Sequence, residues 1–165
     1  MAEDRRQSPL VSWRGWTSAG VAVLLLWFTI GGARAELPTE ELRIADQTLT
    51  VEIAATPRAM ARGLMFREHM PESHGMLFVW PGDQVVAMWM KNTLIPLSVA
   101  FIDHDLRVLN IADMEPRSLE LHPSRGPARF ALEVNQGWFD RHGVEAGARI
   151  EDLERLLADL AAGAD

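Results

Sequence analysis

Leu42 and Ile44, then Leu49, Val51 and Ile53, fall at alternate positions, while Thr48, Thr50 and Glu52 take the other side. A period of two, broken at Asp46-Gln47, predicts a hairpin with one wet face. The pattern then changes. Thr56 suits an N-cap, Pro57 the first helical position and Gly63 a left-handed C-terminal stop, which predicts a short helix over 57–62. Leu64-Met65-Phe66 then brings the chain back to the core as an apolar plug.

Residues 76–80 and 85–90 are continuous apolar runs around Pro81-Gly82-Asp83, a turn signature. Runs of that length predict strands covered on both faces. Pro96 marks an edge or a break before the next strand, in which Leu97, Val99 and Phe101 share a face. Asp103-His104-Asp105 is a turn into a strand over 106–112, and residues 114–127, with three prolines, form a loop. Phe130, Leu132 and Val134 alternate with Ala131, Glu133 and Asn135 in a further strand, and a single helical turn is expected over 137–143. Gly147 makes a tight turn, and Leu153, Leu156, Leu157 and Leu160 have the spacing of a terminal amphipathic helix. The fold class is mainly β: a single-domain β-sandwich or small barrel with a short helix over 57–62 and a C-terminal helix.

The N-terminus reads as a processing signal. Arg5, Arg6 and Arg14 precede an apolar run over 19–30, and Ala33-Arg34-Ala35 offers the small-x-small site of a signal peptidase. The run is short against the roughly 20 residues of a bilayer span. The expectation is a signal peptide over 1–35 and one exported, periplasmic domain over 36–165, the alternative being an uncleaved inner-membrane anchor. Cleavage removes four of the 16 basic and two of the 23 acidic residues, leaving 12 against 21, a net charge of −9. Such a surface repels phosphate backbones and argues against nucleic-acid binding. With no cysteine, an exported chain folds on packing alone.

Residues 62–67 (RGLMFR), 75–79 (GMLFV), 89–97 (WMKNTLIPL) and 132–135 (LEVN), with Gly137, follow one another in an order that resembles the bacterial and archaeal family called domain of unknown function 192. The resemblance covers about residues 42–153. It implies a compact, often exported, sandwich- or barrel-like β domain with short helices, and no established activity. Ser98 stands where the resemblance leads one to expect Asp, and Gly147-Ala148 where it leads one to expect Gly-Asp. Neither Ser98 nor Ala148 supplies the carboxylate that a role at either place would need.

The stretch 75–103 carries two of the three Trp residues outside the leader and the only Lys of the chain. Against eleven Arg in residues 36–165, a lone Lys91 points to a use for an ammonium. On a continuing strand it shares a face with Trp89, within reach of a cation–π contact. Asn92 and Thr93 add donors to this ligand-binding candidate, although both also suit satisfying backbone at a strand end. Arg62 and Arg67 are further candidates for an anion clamp, set against ordinary surface pairing with the many acids. Glu133, on the polar face of an alternating strand, is the best lone carboxylate.

Met88-x-Met90 puts two thioethers on one strand face, a pattern that suits Cu(I), against the commoner use of Met as core filler. No catalytic constellation is recognisable: Ser98 lacks nucleophile-elbow glycines, and a hydrolase would need a carboxylate partner that the sequence does not name. No cofactor motif is read. The favoured function is non-covalent binding of a small polar or anionic ligand, or of a partner chain. The alternatives are a soft-metal carrier and a hydrolase.

Overall fold

A computed structural model describes residues 36–150 and 152–162. The predicted signal peptide lies outside the described residues. No helix among the described residues is long and apolar enough to cross a membrane.

The predicted hairpin is β1 (Thr39–Ile44) and β2 (Gln47–Ala54), turning at Ala45 with φ of 51°. The helix α1 (Pro57–Arg62) follows, and the Thr56 hydroxyl accepts from the Ala59 amide at 3.2 Å, a cap worth about 1 kcal/mol. Gly63 has φ of +48° but ψ of −139°, outside the expected left-handed helical region and open in practice only to glycine.

β3 (His74–Gln84) pairs in parallel with β2. β5 (Leu97–Ile102), β6 (Val108–Met114) and β8 (Ala128–Asn135) complete a sheet of order β1-β2-β3-β8-β5-β6. A separate two-stranded ribbon joins β4 (Ala87–Met88) to β7 (His122–Pro123). The helices α2 (Trp138–Arg141) and α3 (Asp152–Ala162) follow β8. The domain is mainly β, and its main sheet is open rather than closed into a barrel.

Both faces of the sheet are buried. One carries Leu42, Val51, Leu77, Leu132 and Ile102 and packs against Trp138 and Phe139 of α2 and Leu153 and Leu156 of α3. The other carries Met76, Phe78, Val99, Phe101 and Ala131 and lies under Ala59, Leu64, Val86 and Met90. α3 also closes the free edge of β1. Asp152 accepts from the Arg43 amide at 2.8 Å, and Arg155 donates to the Glu41 carbonyl at 3.0 Å, which satisfies groups that an added strand could otherwise use.

Three local expectations are corrected. Pro81-Gly82-Asp83 makes no turn: β3 runs through it, and the register against β8 shifts between Val79 and Gln84. The run over 85–90 is not covered on both faces, because Val86 and Met90 point inward while Val85 and Trp89 are exposed. The face of β8 carrying Ala131 and Glu133 is not wet, because the second apolar layer covers it.

Candidate functional site

The chain after α1 and the turn after β4 are tied together through backbone. Phe66 and Asn92 both adopt left-handed conformations, with φ of 63° and 60°, and the Phe66 amide donates to the Asn92 carbonyl at 2.8 Å. Asn visits this region at little cost, whereas Phe is strained there. The Asn92 side-chain amide also lies 3.9 Å from the Met65 sulfur. The turn is held from the other side as well. The Met90 amide donates to the Ser118 carbonyl, and the Arg117 amide to the Thr93 carbonyl.

This fixed turn presents Lys91, whose Nζ lies 5.2 Å from the centre of the Trp89 ring, a cation–π contact between two exposed side chains. Trp89, Lys91 and Asn92 thus stand together with Phe66. Thr93 is buried beneath them. Arg62 is exposed at the end of α1, whereas Arg67 is engaged by Glu52 at 2.6 Å. Phe66 departs from the plug reading: it is 61% exposed, while Leu64 two residues earlier is buried.

Glu133 lies elsewhere, in the interior. The cross-sheet row through it reads Glu52, Met76, Glu133, Val99, Ala112. It is 4% exposed, and no hydrogen bond or ion pair from the described residues reaches its carboxyl. The neighbouring Asn135 directs its side-chain amide to the Met70 and Pro71 carbonyls and to Glu72 instead. Desolvation by burial pushes the Glu133 carboxyl from 4.5 up to about 8. A strictly alternating strand gave no sign that both faces would be covered.

Ser98 has a definite structural role. Its hydroxyl donates to Asp113, directly opposite on β6, and accepts from the Gly137 amide at 2.8 Å where α2 begins. A carboxylate, that of Asp113, thus lies beside position 98 although Ser98 itself carries none. Ser98→Ala removes the acceptor for the part-buried Gly137 amide and the donor to Asp113, and is expected to lower stability by about 1–2 kcal/mol. Chemical denaturation of both proteins checks this.

Met88 is half-buried and Met90 fully buried, both packed on the second core layer. Among the described residues no three His, Cys, Asp or Glu side chains group as metal ligands. One cleft of about 580 Å³ lies between β1, β2 and α3, and another of about 570 Å³ lies beside His104, Arg107 and Arg149. Neither involves the Lys91 turn.

The model of the domain of unknown function 192 family, described as uncharacterized ACR, matches residues 40–151. No curated protein matches the chain. Among solved structures it is similar to a Sinorhizobium meliloti 1021 protein described as a "putative transcription regulator", with 38% identity, coverage of 69% of this chain and 93% of that one, and a TM-score of 0.65. It is also similar to a protein of unknown function from Novosphingobium aromaticivorans DSM 12444, with 33% identity, coverage of 69% and 83%, and a TM-score of 0.63.

Proposed function

Because the chain belongs to the domain of unknown function 192 family, described as uncharacterized, we propose a function from its own surface: non-covalent binding of a partner through an anionic or polar group received at Trp89, Lys91 and Asn92. The observation that carries this reading is the Lys91 ammonium held over an exposed Trp89 ring by a turn whose Asn92 is left-handed and is bonded to a left-handed Phe66 on the segment after α1. Strained backbone persists where the surrounding structure over-determines it, and such positions cluster at binding sites. A water-exposed Lys–Trp contact contributes only about 0.5–1 kcal/mol to folding, too little to account for the strain around it.

Trp89, Lys91 and Asn92 are all exposed side chains, which favours a partner chain over an enclosed small ligand. The net charge of −9 for residues 36–165 makes nucleic acid a poor partner. An NMR titration with sodium acetate tests the reading. Saturable shifts at the Lys91 and Asn92 amides and the Trp89 indole, absent in Lys91→Met, are expected. Shifts spread evenly over the surface, or unchanged in the variant, would overturn it.

A further inference from the structure

The β4–β7 ribbon and its extensions have two unlike faces. Val85, Trp89, Leu119 and Leu121 are exposed on the outer one. The inner one carries Val86, Met88 and Met90, which pack on the second core layer. Met88 pairs directly with His122, so their side chains share this inner face. Opposed Cβ atoms in such a pair stand about 5 Å apart, which lets a thioether and an imidazole reach one common atom. Met90, two residues further on, is also turned inward and is fully buried.

The His122 Nε2 atom is buried and has no hydrogen-bond partner among the described residues. An unpaired polar atom in the interior costs about 1–3 kcal/mol and calls for an occupant. The polar side chains nearest to it in the ribbon are committed elsewhere. The Ser124 hydroxyl donates to the Gly126 carbonyl at 2.7 Å and accepts from the Val86 amide at 3.1 Å. The Asn110 side chain donates to the Pro123 carbonyl at 3.2 Å and accepts from the Arg125 amide at 2.8 Å. A water held here needs at least about two polar partners, and the inner face offers thioethers instead.

The chemistry of that donor set is specific. A thioether sulfur and a neutral imidazole nitrogen are uncharged, polarisable lone-pair donors, and together they suit Cu(I). Zinc sites draw on thiolate, carboxylate and several imidazoles, none of which joins His122 here. Met88 and His122 are each half-buried, so an ion can reach them from the surface, while Met90 lies on the inner side away from water.

We propose that Met88, Met90 and His122 form a soft-cation site on the inner face of the β4–β7 ribbon, and that Cu(I) is the ion it takes. The Met88-x-Met90 pair read from the sequence thereby gains an imidazole from a strand distant in the chain. The site is separate from the anion-receiving role of Lys91, and either can stand without the other.

The test titrates the protein, carrying methyl-labelled methionine, with Ag(I) as a redox-inert probe of the same softness in chloride-free buffer. The Met88 and Met90 methyl signals, assigned with Met88→Leu and Met90→Leu, are expected to shift and saturate at one equivalent. The imidazole nitrogen signal of His122 should move with them while the other methionines stay in place. In anaerobic competition with bicinchoninate the protein should retain one Cu(I) per chain. Met88→Leu and His122→Phe should each weaken retention at least about tenfold, since loss of even an outer-shell partner of a metal costs about that much. His122→Phe removes an unpaired buried nitrogen, so it is expected to melt no lower than the parent, and its loss of binding is then not misfolding. Lys91→Met should retain Cu(I) as the parent does. Shifts spread over all the methionines would mean an adventitious ion only and would overturn the proposal. It is equally overturned if His122→Phe retains Cu(I) like the parent, if equimolar Zn(II) displaces Ag(I), or if Nε2 proves bonded to a water that Ag(I) does not displace.

Discussion

Glu133→Gln is expected to stabilise the domain at pH 8 by on the order of 4 kcal/mol and to leave it almost unchanged near pH 4.5. The cause is a carboxyl in the second apolar layer, between Met76 and Val99, with no partner among the described residues. Its folded pKa is raised from 4.5 to about 8 by burial alone. Between those values the folded protein keeps the proton and the unfolded chain has released it. The stability associated with the neutral carboxyl is therefore fully present below about pH 4.5 and is lost as pH rises through about 8. The loss runs at about 1.4 kcal/mol per pH unit across the window and stops above it.

A glutamine keeps the shape and cannot ionise, so the difference between the two proteins isolates this group from the other carboxylates. Urea unfolding of both at several pH values measures it. A difference that does not change with pH would show that Glu133 is solvated or paired.

Much of the fold was legible because its signals are local. The hairpin at 45–46, the capped helix Pro57–Arg62 and the strand start after Pro96 each follow from the chemistry of two or three adjacent residues. Pro81-Gly82-Asp83 carries the chemistry of a turn, and here it falls in a bulge: β8 pairs with Val79 and again with Gln84, and with nothing between them. The strand resumes after the bulge instead of reversing, which local chemistry alone does not distinguish.

The candidate site divides in the same way. Lys91 and Trp89 meet, but not on a continuing strand: β4 ends at Met88, and it is the turn at Lys91-Asn92 that brings the ammonium to the ring. Phe66 and Leu64 are both apolar and two residues apart, yet Leu64 is buried and Phe66, left-handed and bonded to Asn92, is exposed. Leu119 and Leu121 sit in a proline-rich loop where apolar residues have no period to be read against. Their exposure depends on the ribbon that β7 forms with β4. Glu133 was visible as a residue but not as a buried one, because burial of its face comes from the segments that cross above the sheet, far away in sequence.

Gly75→Ala, on the strand next to Glu133, is expected to cost about 3 kcal/mol, at the upper end of the usual range for overpacking. Gly75 pairs with Val134 and is buried, and its backbone needs no glycine conformation. The requirement is one of space. A Cβ at this position would lie 2.7 Å from the Glu133 carbonyl oxygen and 3.2 Å from a Val134 methyl. The first of these is backbone in the middle of the sheet and cannot turn aside as a flexible side chain would. β3 and β8 must therefore separate locally, at the point where Met76 and Glu133 face each other across the same pair of strands. Separation admits water to the Glu133 carboxyl and relieves part of its desolvation. Gly75→Ala should consequently be both less stable than the parent and less sensitive to pH between about 4.5 and 8. Denaturation profiles at the two ends of that window measure both effects. An alanine variant as stable as the parent would mean that the strands have room at Gly75, and an undiminished pH dependence would mean that the carboxyl stays dry when they move.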